Sequence, residues 1–125
     1  GQGVLTGKYM PGKKAPAGSR ATDKKGGANM ISRFMNDEIL TAVQKLIPIA
    51  KKLDLTPAQL AIAWVLQNPN VSSAIIGATK PSQIKENVKA SGVKLDASVM
   101  QEIDKAIGSI AERDPAKTIS PKPRA

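Results

Sequence analysis

The residues best suited to chemistry lie in one run, Ser72-Ser73-Ala74-Ile75-Ile76-Gly77-Ala78-Thr79-Lys80-Pro81-Ser82-Gln83-Ile84-Lys85-Glu86-Asn87. It reads as a short apolar strand, a glycine turn and a helix opened by proline. Such a junction aims backbone N–H groups and the positive end of a helix at one spot, which suits a phosphate. Side chains add a hydroxyl at Thr79, an ammonium at Lys80 and amides at Gln83 and Asn87. Together they point to a nucleotide cofactor.

The rest of the composition narrows what else the chain can do. With no cysteine, it has no disulfide and no thiolate metal site. With no histidine, it lacks the commonest general base and the commonest transition-metal ligand. Catalysis by this chain alone would have to run on Lys, Tyr, Asp or Glu, and its one tyrosine is Tyr9. The acids Asp37, Glu38, Glu102, Asp104 and Glu112 read as helix-surface charge, and their spacing suggests no metal. Gly3-Val4-Leu5-Thr6-Gly7-Lys8-Tyr9 superficially resembles a phosphate-binding P-loop, but its spacing is wrong and Tyr9 stands where a hydroxyl residue is needed.

The formal charge of +9 over 125 residues calls for an anionic partner. Lys8, Lys13, Lys14, Arg20, Lys24 and Lys25 fall in one Gly/Pro-rich segment whose only acid is Asp23. Two readings stand: a solvated loop, or a flap that closes over a phosphate-bearing ligand. No run approaches the roughly 18 apolar residues of a membrane span. Gly1 to Leu5 lacks the basic start and apolar run of a leader, so the expected setting is cytoplasmic.

The elements that must position these residues follow from spacing. Residues 1–35 look irregular. Residues 37–53 predict a helix capped by Asn36, with a stripe of Ile39, Val43, Leu46, Ile47, Ala50 and Leu53. Pro48 should kink or divide it. Residues 57–68 predict a second helix, with Thr56 and Gln59 forming a capping box and Pro57 in the first turn. That helix is apolar all round and must be buried on most sides, with Trp64 in the core. Val71–Ile76 predicts one buried parallel strand. Pro81 to about Ser91 predicts a third helix stopped by Gly92, and Asp96 caps a last one through about Ile107. Residues 111–125, with three prolines and few apolar groups, read as a flexible tail. A lone parallel strand has no sheet to join, so a partner must supply one or the chain is part of something larger.

Several of these segments resemble the aldo-keto reductases. They are Gly3-Val4-Leu5-Thr6-Gly7-Lys8-Tyr9, Ser19-Arg20, Thr56-Pro57-Ala58-Gln59-Leu60-Ala61-Ile62-Ala63-Trp64, and Ile76-Gly77-Ala78-Thr79 with Gln83, Glu86 and Asn87. The branch most similar in pattern includes potassium-channel beta subunits and related bacterial reductases. The resemblance implies an α/β fold: the C-terminal portion of a (β/α)8 TIM barrel, mostly helical here, over residues 1–110. Residues 1–35 would be the cofactor-wrapping loop and 71–77 the last barrel strand, with the N-terminal part of the barrel as a missing partner.

It also implies NADP(H) as cofactor and a small-molecule carbonyl substrate. Gly77, Thr79, Gln83, Glu86 and Asn87 would hold the adenosine and 2′-phosphate end, with Asn87 on the adenine edge and Glu86 on ribose or base. Lys80 joins them by charge alone. Gly3, Lys8 and Arg20 would match the segment around the pyrophosphate, although the stretch between Lys8 and Arg20 is slightly longer here than in that branch. The family's catalytic Asp, Tyr, Lys and His have no counterpart in this chain, so it should catalyse nothing by itself.

The first function to weigh is therefore an NADPH-dependent reductase of aldehydes or ketones, of which this chain supplies the cofactor-binding part. The second is a redox-sensing regulatory subunit that binds NADP(H). A nucleic-acid binder comes last, because scarce aromatics leave base stacking little support. Apolar faces made to meet neighbours leave association, including a homo-oligomer, open.

Overall fold

The computed structural model describes residues 1–112 and 114–117. Among them are five α-helices: α1 (Gly27–Ile31), α2 (Asp37–Lys52), α3 (Pro57–Leu66), α4 (Pro81–Asn87) and α5 (Ala97–Ile107). Short 3-10 turns stand at Val4–Thr6, Arg20–Thr22, Ser32–Phe34, Val88–Ala90 and Pro115–Lys117.

Local chemistry sets most of the helix starts. Asn36 Oδ1 accepts from the Ile39 N–H at 2.9 Å, and Asp37 and Glu38 face the positive end of α2. Thr56 and Gln59 close a reciprocal capping box, with the Thr56 N–H donating to Gln59 Oε1 at 2.9 Å and the Gln59 N–H to Thr56 Oγ1 at 3.2 Å. Asp96 Oδ1 accepts from the Val99 N–H at 2.9 Å and opens α5. These backbone bonds from Val99, followed by the Ser98 hydroxyl, hold the Asp96 carboxyl below its ordinary pKa.

Two apolar clusters form the interior. The larger joins Leu46, Ile49 and Ala50 of α2 with Leu60 and Ala63 of α3, Leu95, and Ile103 and Ala106 of α5. The smaller joins Leu40 and Val43 of α2 with Val4, Tyr9 and Ile31. The buried face of α2 therefore includes Leu40, Ala42 and Ile49 beside Val43, Leu46 and Ala50. Ile39, Ile47 and Leu53 of the expected stripe are only half-buried. Pro48 neither divides nor restarts α2, which runs unbroken from Asp37 to Lys52. Its missing N–H leaves the Gln44 carbonyl without its usual helical donor.

Helix α3 is less enclosed than its composition suggests. Leu60 and Ala63 are buried, Trp64 is half-buried against the larger cluster, and Val65 is exposed. Side chains of α3 stitch the chain that follows. Gln67, its C-cap, donates to the carbonyls of Ala63 at 2.7 Å and Val93 at 3.1 Å and accepts from the Leu95 N–H at 3.2 Å.

Two expectations are corrected. No strand forms among the described residues, and Val71–Gly77 is irregular, so the buried parallel strand is absent. Ile75 is 99% exposed and Ile76 42%. The physical reason is that a parallel strand satisfies its N–H and C=O groups only through a neighbour, and no second strand is there to pair with it. The fold of the described residues is accordingly helical, not α/β.

The segment 1–35 is also more ordered than expected. Asp23 organises it, accepting from the Lys25 N–H at 2.9 Å and the Gly27 N–H at 3.2 Å through its carboxylate, and from the Ala28 N–H at 3.0 Å through its carbonyl. The third expected helix is shorter, with α4 ending at Asn87 and passing into the Val88–Ala90 turn, and Gly92 follows with φ +78°. The expected tail falls partly on residues 113 and 118–125, outside the described residues; within 114–117, Lys117 pairs with Glu112 at 2.9 Å.

Candidate cofactor site

The residues singled out above fall into two groups, with α3 packed against both the Val4–Thr6 turn and α4. The first group is Gly3, Lys8 and Arg20. Gln2 (φ +51°) and Gly3 (φ +87°) take left-handed backbone, which turns the chain sharply before Val4 buries itself. That turn presents the Gln2 side chain to Arg20, whose Nη1 donates to Gln2 Oε1. A methyl added to Gly3 would lie 3.6 Å from Lys8 Nζ, so Gly3 and the Lys8 ammonium are neighbours. The ammonium also sits 5.2 Å from the centre of the Tyr9 ring, within cation–π range. Lys8 and Arg20 are both exposed, and no carboxylate pairs with either among the described residues.

The second group is Gly77, Thr79, Lys80, Gln83, Glu86 and Asn87. Gln83 Oε1 gathers three donors: the Thr79 N–H at 2.7 Å, the Thr79 hydroxyl at 3.2 Å and the Lys80 N–H at 3.1 Å. This is half of a capping box, and with Pro81 at the first helical position it fixes where α4 begins. Gly77 has open space where a Cβ would stand. Gly77, Thr79, Lys80, Gln83 and Glu86 are exposed, and Asn87 is half-buried. The Glu86 carboxylate pairs with Lys89 at 2.8 Å, an exposed i,i+3 pair that contributes about 0–1 kcal/mol and exchanges readily. The Glu86 carbonyl is held by Gln59 Nε2 at 2.8 Å, which ties α4 to the buried start of α3.

The chemistry of both groups fits an anionic, phosphate-bearing ligand. Lys8, Arg20 and Lys80 are exposed cations without carboxylate partners among the described residues. The Thr79 hydroxyl and the Gln83 amide add neutral donors, and Gly77 permits close backbone approach. Sequence reasoning missed three residues that hold this scaffold: Gln2, Asp23 and Gln44. Gln2 could have been noticed as the polar neighbour of Gly3. Nothing local marks Gln44, whose partners lie more than 30 residues away. Among the described residues no group of three or more His, Cys, Asp or Glu could hold a metal, and no helix is long and apolar enough to cross a membrane.

Comparison with known proteins gives the family. The model of the aldo/keto reductase family matches residues 1–108. A probable voltage-gated potassium channel subunit beta of Arabidopsis thaliana is 47% identical over 113 residues, covering 89% of this chain and 34% of that protein. A putative voltage-gated potassium channel subunit beta of Schizosaccharomyces pombe is 42% identical over 108 residues, 84% of this chain and 31% of that protein. Protein tas of Escherichia coli is 38% identical over 104 residues, 83% of this chain and 29% of that protein. The chain thus spans about a third of the length of these relatives. With one family model running through both groups of site residues and the helices between them, the chain belongs to the aldo/keto reductase family.

Proposed function

We propose that this chain is the cofactor-binding portion of an NADP(H)-dependent oxidoreductase that reduces aldehydes or ketones. The observation that carries the reading is the pairing of a family match over residues 1–108 with two groups of exposed, carboxylate-free cations and donors inside that match. Lys8 and Arg20, with Gly3 leaving room beside them, bind the pyrophosphate. Lys80, Thr79 and Gln83 bind the 2′-phosphate end, and Glu86 and Asn87 face the ribose and adenine. NADPH, when bound, supplies the hydride. The residues named here hold and orient it, and the histidine-free chain leaves proton transfer to the rest of the protein. Partners in this reading are a small carbonyl compound and the N-terminal remainder of the same protein.

The test is made on the full-length protein: calorimetric titration with NADPH, then NADPH oxidation in the presence of a panel of aldehydes. Stoichiometric binding with turnover is expected, and absence of binding overturns the reading. A second reading, a regulatory subunit that senses redox state through bound NADP(H), is favoured by the similarity to proteins described as potassium channel beta subunits. Tight NADPH binding with no turnover of any aldehyde would select it.

A further inference from the structure

Gln44 stands on α2, far in sequence from every residue of the candidate site, yet its side chain reaches into it. Its Nε2 donates to the carbonyl of Gly7 at 3.1 Å and to the carbonyl of Tyr9 at 3.0 Å. Those two carbonyls flank Lys8. A primary amide has two N–H groups, and here both are spent, on the Gly7–Lys8 and Tyr9–Met10 peptide units that bracket Lys8 and Tyr9. The loop is pinned at that point from other directions as well. Gly7 holds φ +77°, and a methyl there would meet Ile47 Cδ1 at 3.1 Å, so the backbone lies close against α2. Tyr9 is 1% exposed, packed with Val4, Ile31, Leu40 and Val43. Its ring also underlies the Lys8 ammonium. Lys8 itself remains exposed and free of any carboxylate partner among the described residues.

We infer that Gln44 is a positioning residue for Lys8: its amide fixes the backbone on both sides of the lysine, so that the ammonium is presented to the anionic cofactor with little conformational freedom left to lose. A flexible lysine pays rotamer and backbone entropy when it closes on a phosphate. Clamping the backbone beforehand removes part of that cost and so tightens binding. The amide suits the task because it donates twice, is neutral at every pH, and adds no charge to compete with Lys8 for the ligand. The inference rests on the proposed role of Lys8 toward NADP(H).

The experiment is a double-mutant cycle on the full-length protein, with NADPH affinity read by calorimetry at two salt concentrations. The variants are Lys8→Ala, Gln44→Met, which keeps length and loses both donors, and Gln44→Glu, which keeps shape but can only accept. Lys8→Ala should weaken NADPH about tenfold or more, as expected for loss of a charge-assisted contact. Gln44→Met and Gln44→Glu should each weaken it several-fold and flatten the salt dependence toward that of Lys8→Ala. In the Lys8→Ala background, Gln44→Met should have no further effect.

Unchanged affinity in Lys8→Ala would overturn the cofactor role of Lys8, and this inference with it. Loss in Lys8→Ala with wild-type affinity in both Gln44 variants would overturn the positioning role alone. So would losses that simply add in the double variant. A lower melting temperature in the Gln44 variants with the wild-type salt slope and affinity would assign Gln44 to stability only.

Discussion

Replacing Gly27 by alanine tests the account of the 1–35 segment, because two principles give opposite signs there. Glycine in a helix is about 1 kcal/mol worse than alanine, so on propensity alone Gly27→Ala, at the first residue of α1, should stabilise. The geometry says otherwise. A methyl on Gly27 would stand 2.6 Å from Asp23 Oδ2, 2.9 Å from the Arg20 carbonyl oxygen and 2.9 Å from Asp23 Cβ. Two of these three atoms cannot move cheaply, being a backbone oxygen and a Cβ. The third is the carboxylate oxygen that accepts from the Gly27 N–H. Displacing Asp23 forfeits that hydrogen bond, worth about 0.5–1.5 kcal/mol. Forcing the backbone apart instead costs about 1–3 kcal/mol of overpacking. The Arg20 carbonyl and the Asp23 Cβ cannot step aside, so the overpacking cost applies, and set against about 1 kcal/mol of propensity gain it leaves a net destabilisation of about 0–2 kcal/mol. Urea unfolding of full-length wild type and Gly27→Ala, monitored by circular dichroism, reads this directly as a lower midpoint at unchanged slope. Gly77→Ala is the control, since nothing lies within 4 Å of a Cβ there, and its midpoint should match wild type. A Gly27→Ala protein more stable than wild type would refute the role given to Asp23.

Three further outcomes follow from the caps and the cations. Thr56→Ala breaks the reciprocal bonds with Gln59 and should cost about 1 kcal/mol, seen as a lower urea midpoint; an unchanged midpoint would mean that packing alone sets the start of α3. Asp96 has a folded pKa below its unfolded value of 3.8, so its contribution is present above that value and fades as pH falls through the folded pKa. The stability difference between wild type and Asp96→Ala should therefore shrink from pH 5 to pH 2, and a difference independent of pH would show that the carboxylate charge plays no part. In competition titrations on the full-length protein, Lys80→Ala should weaken NADPH more than NADH, because only NADPH carries the 2′-phosphate, whereas Arg20→Ala should weaken both alike; equal loss in Lys80→Ala removes Lys80 from the 2′-phosphate, and a loss confined to NADPH in Arg20→Ala removes Arg20 from the pyrophosphate.

What could be read from the sequence divides along a physical line. Asn36, Thr56 and Asp96 were legible as caps because each bonds a backbone N–H three residues on, and that information is local. The apolar stripe of α2 was legible in period but not in full, since Leu40 and Ile49 turn inward to meet Val4, Tyr9 and α5 from outside the helix. Gln44 and Gln67 look like ordinary helix residues in sequence and Gln59 like a local capping-box partner, yet the amide of each spans 26 residues or more to a backbone group. The strand failed for the same reason in reverse. Ala74-Ile75-Ile76 has the composition of a buried strand, but a strand is completed by another strand, and its own residues cannot specify that the partner is present. At the candidate site, the cations and Gly77 were visible as types. The Gln83 carbonyl that collects Thr79 and Lys80, and the Gln2 contact that receives Arg20, were not, because both depend on how the chain turns.

Helix α2 contributes Leu40 and Val43 to one apolar cluster and Leu46, Ile49 and Ala50 to the other. Because one helix runs through both, packing lost in either cluster weakens the support of the other. The turn in which Pro48 leaves the Gln44 carbonyl without a helical donor falls at the junction between the clusters. Thermal energy that opens the chain short of global unfolding has an obvious place to act. It can bend α2 at that turn, tilting its first half, with the loop that Gln44 grips, away from a second half still locked to α3 and α5. The loop would then move as a body with the front of the helix, so that its displacement would follow a hinge inside a helix and not its own flexibility.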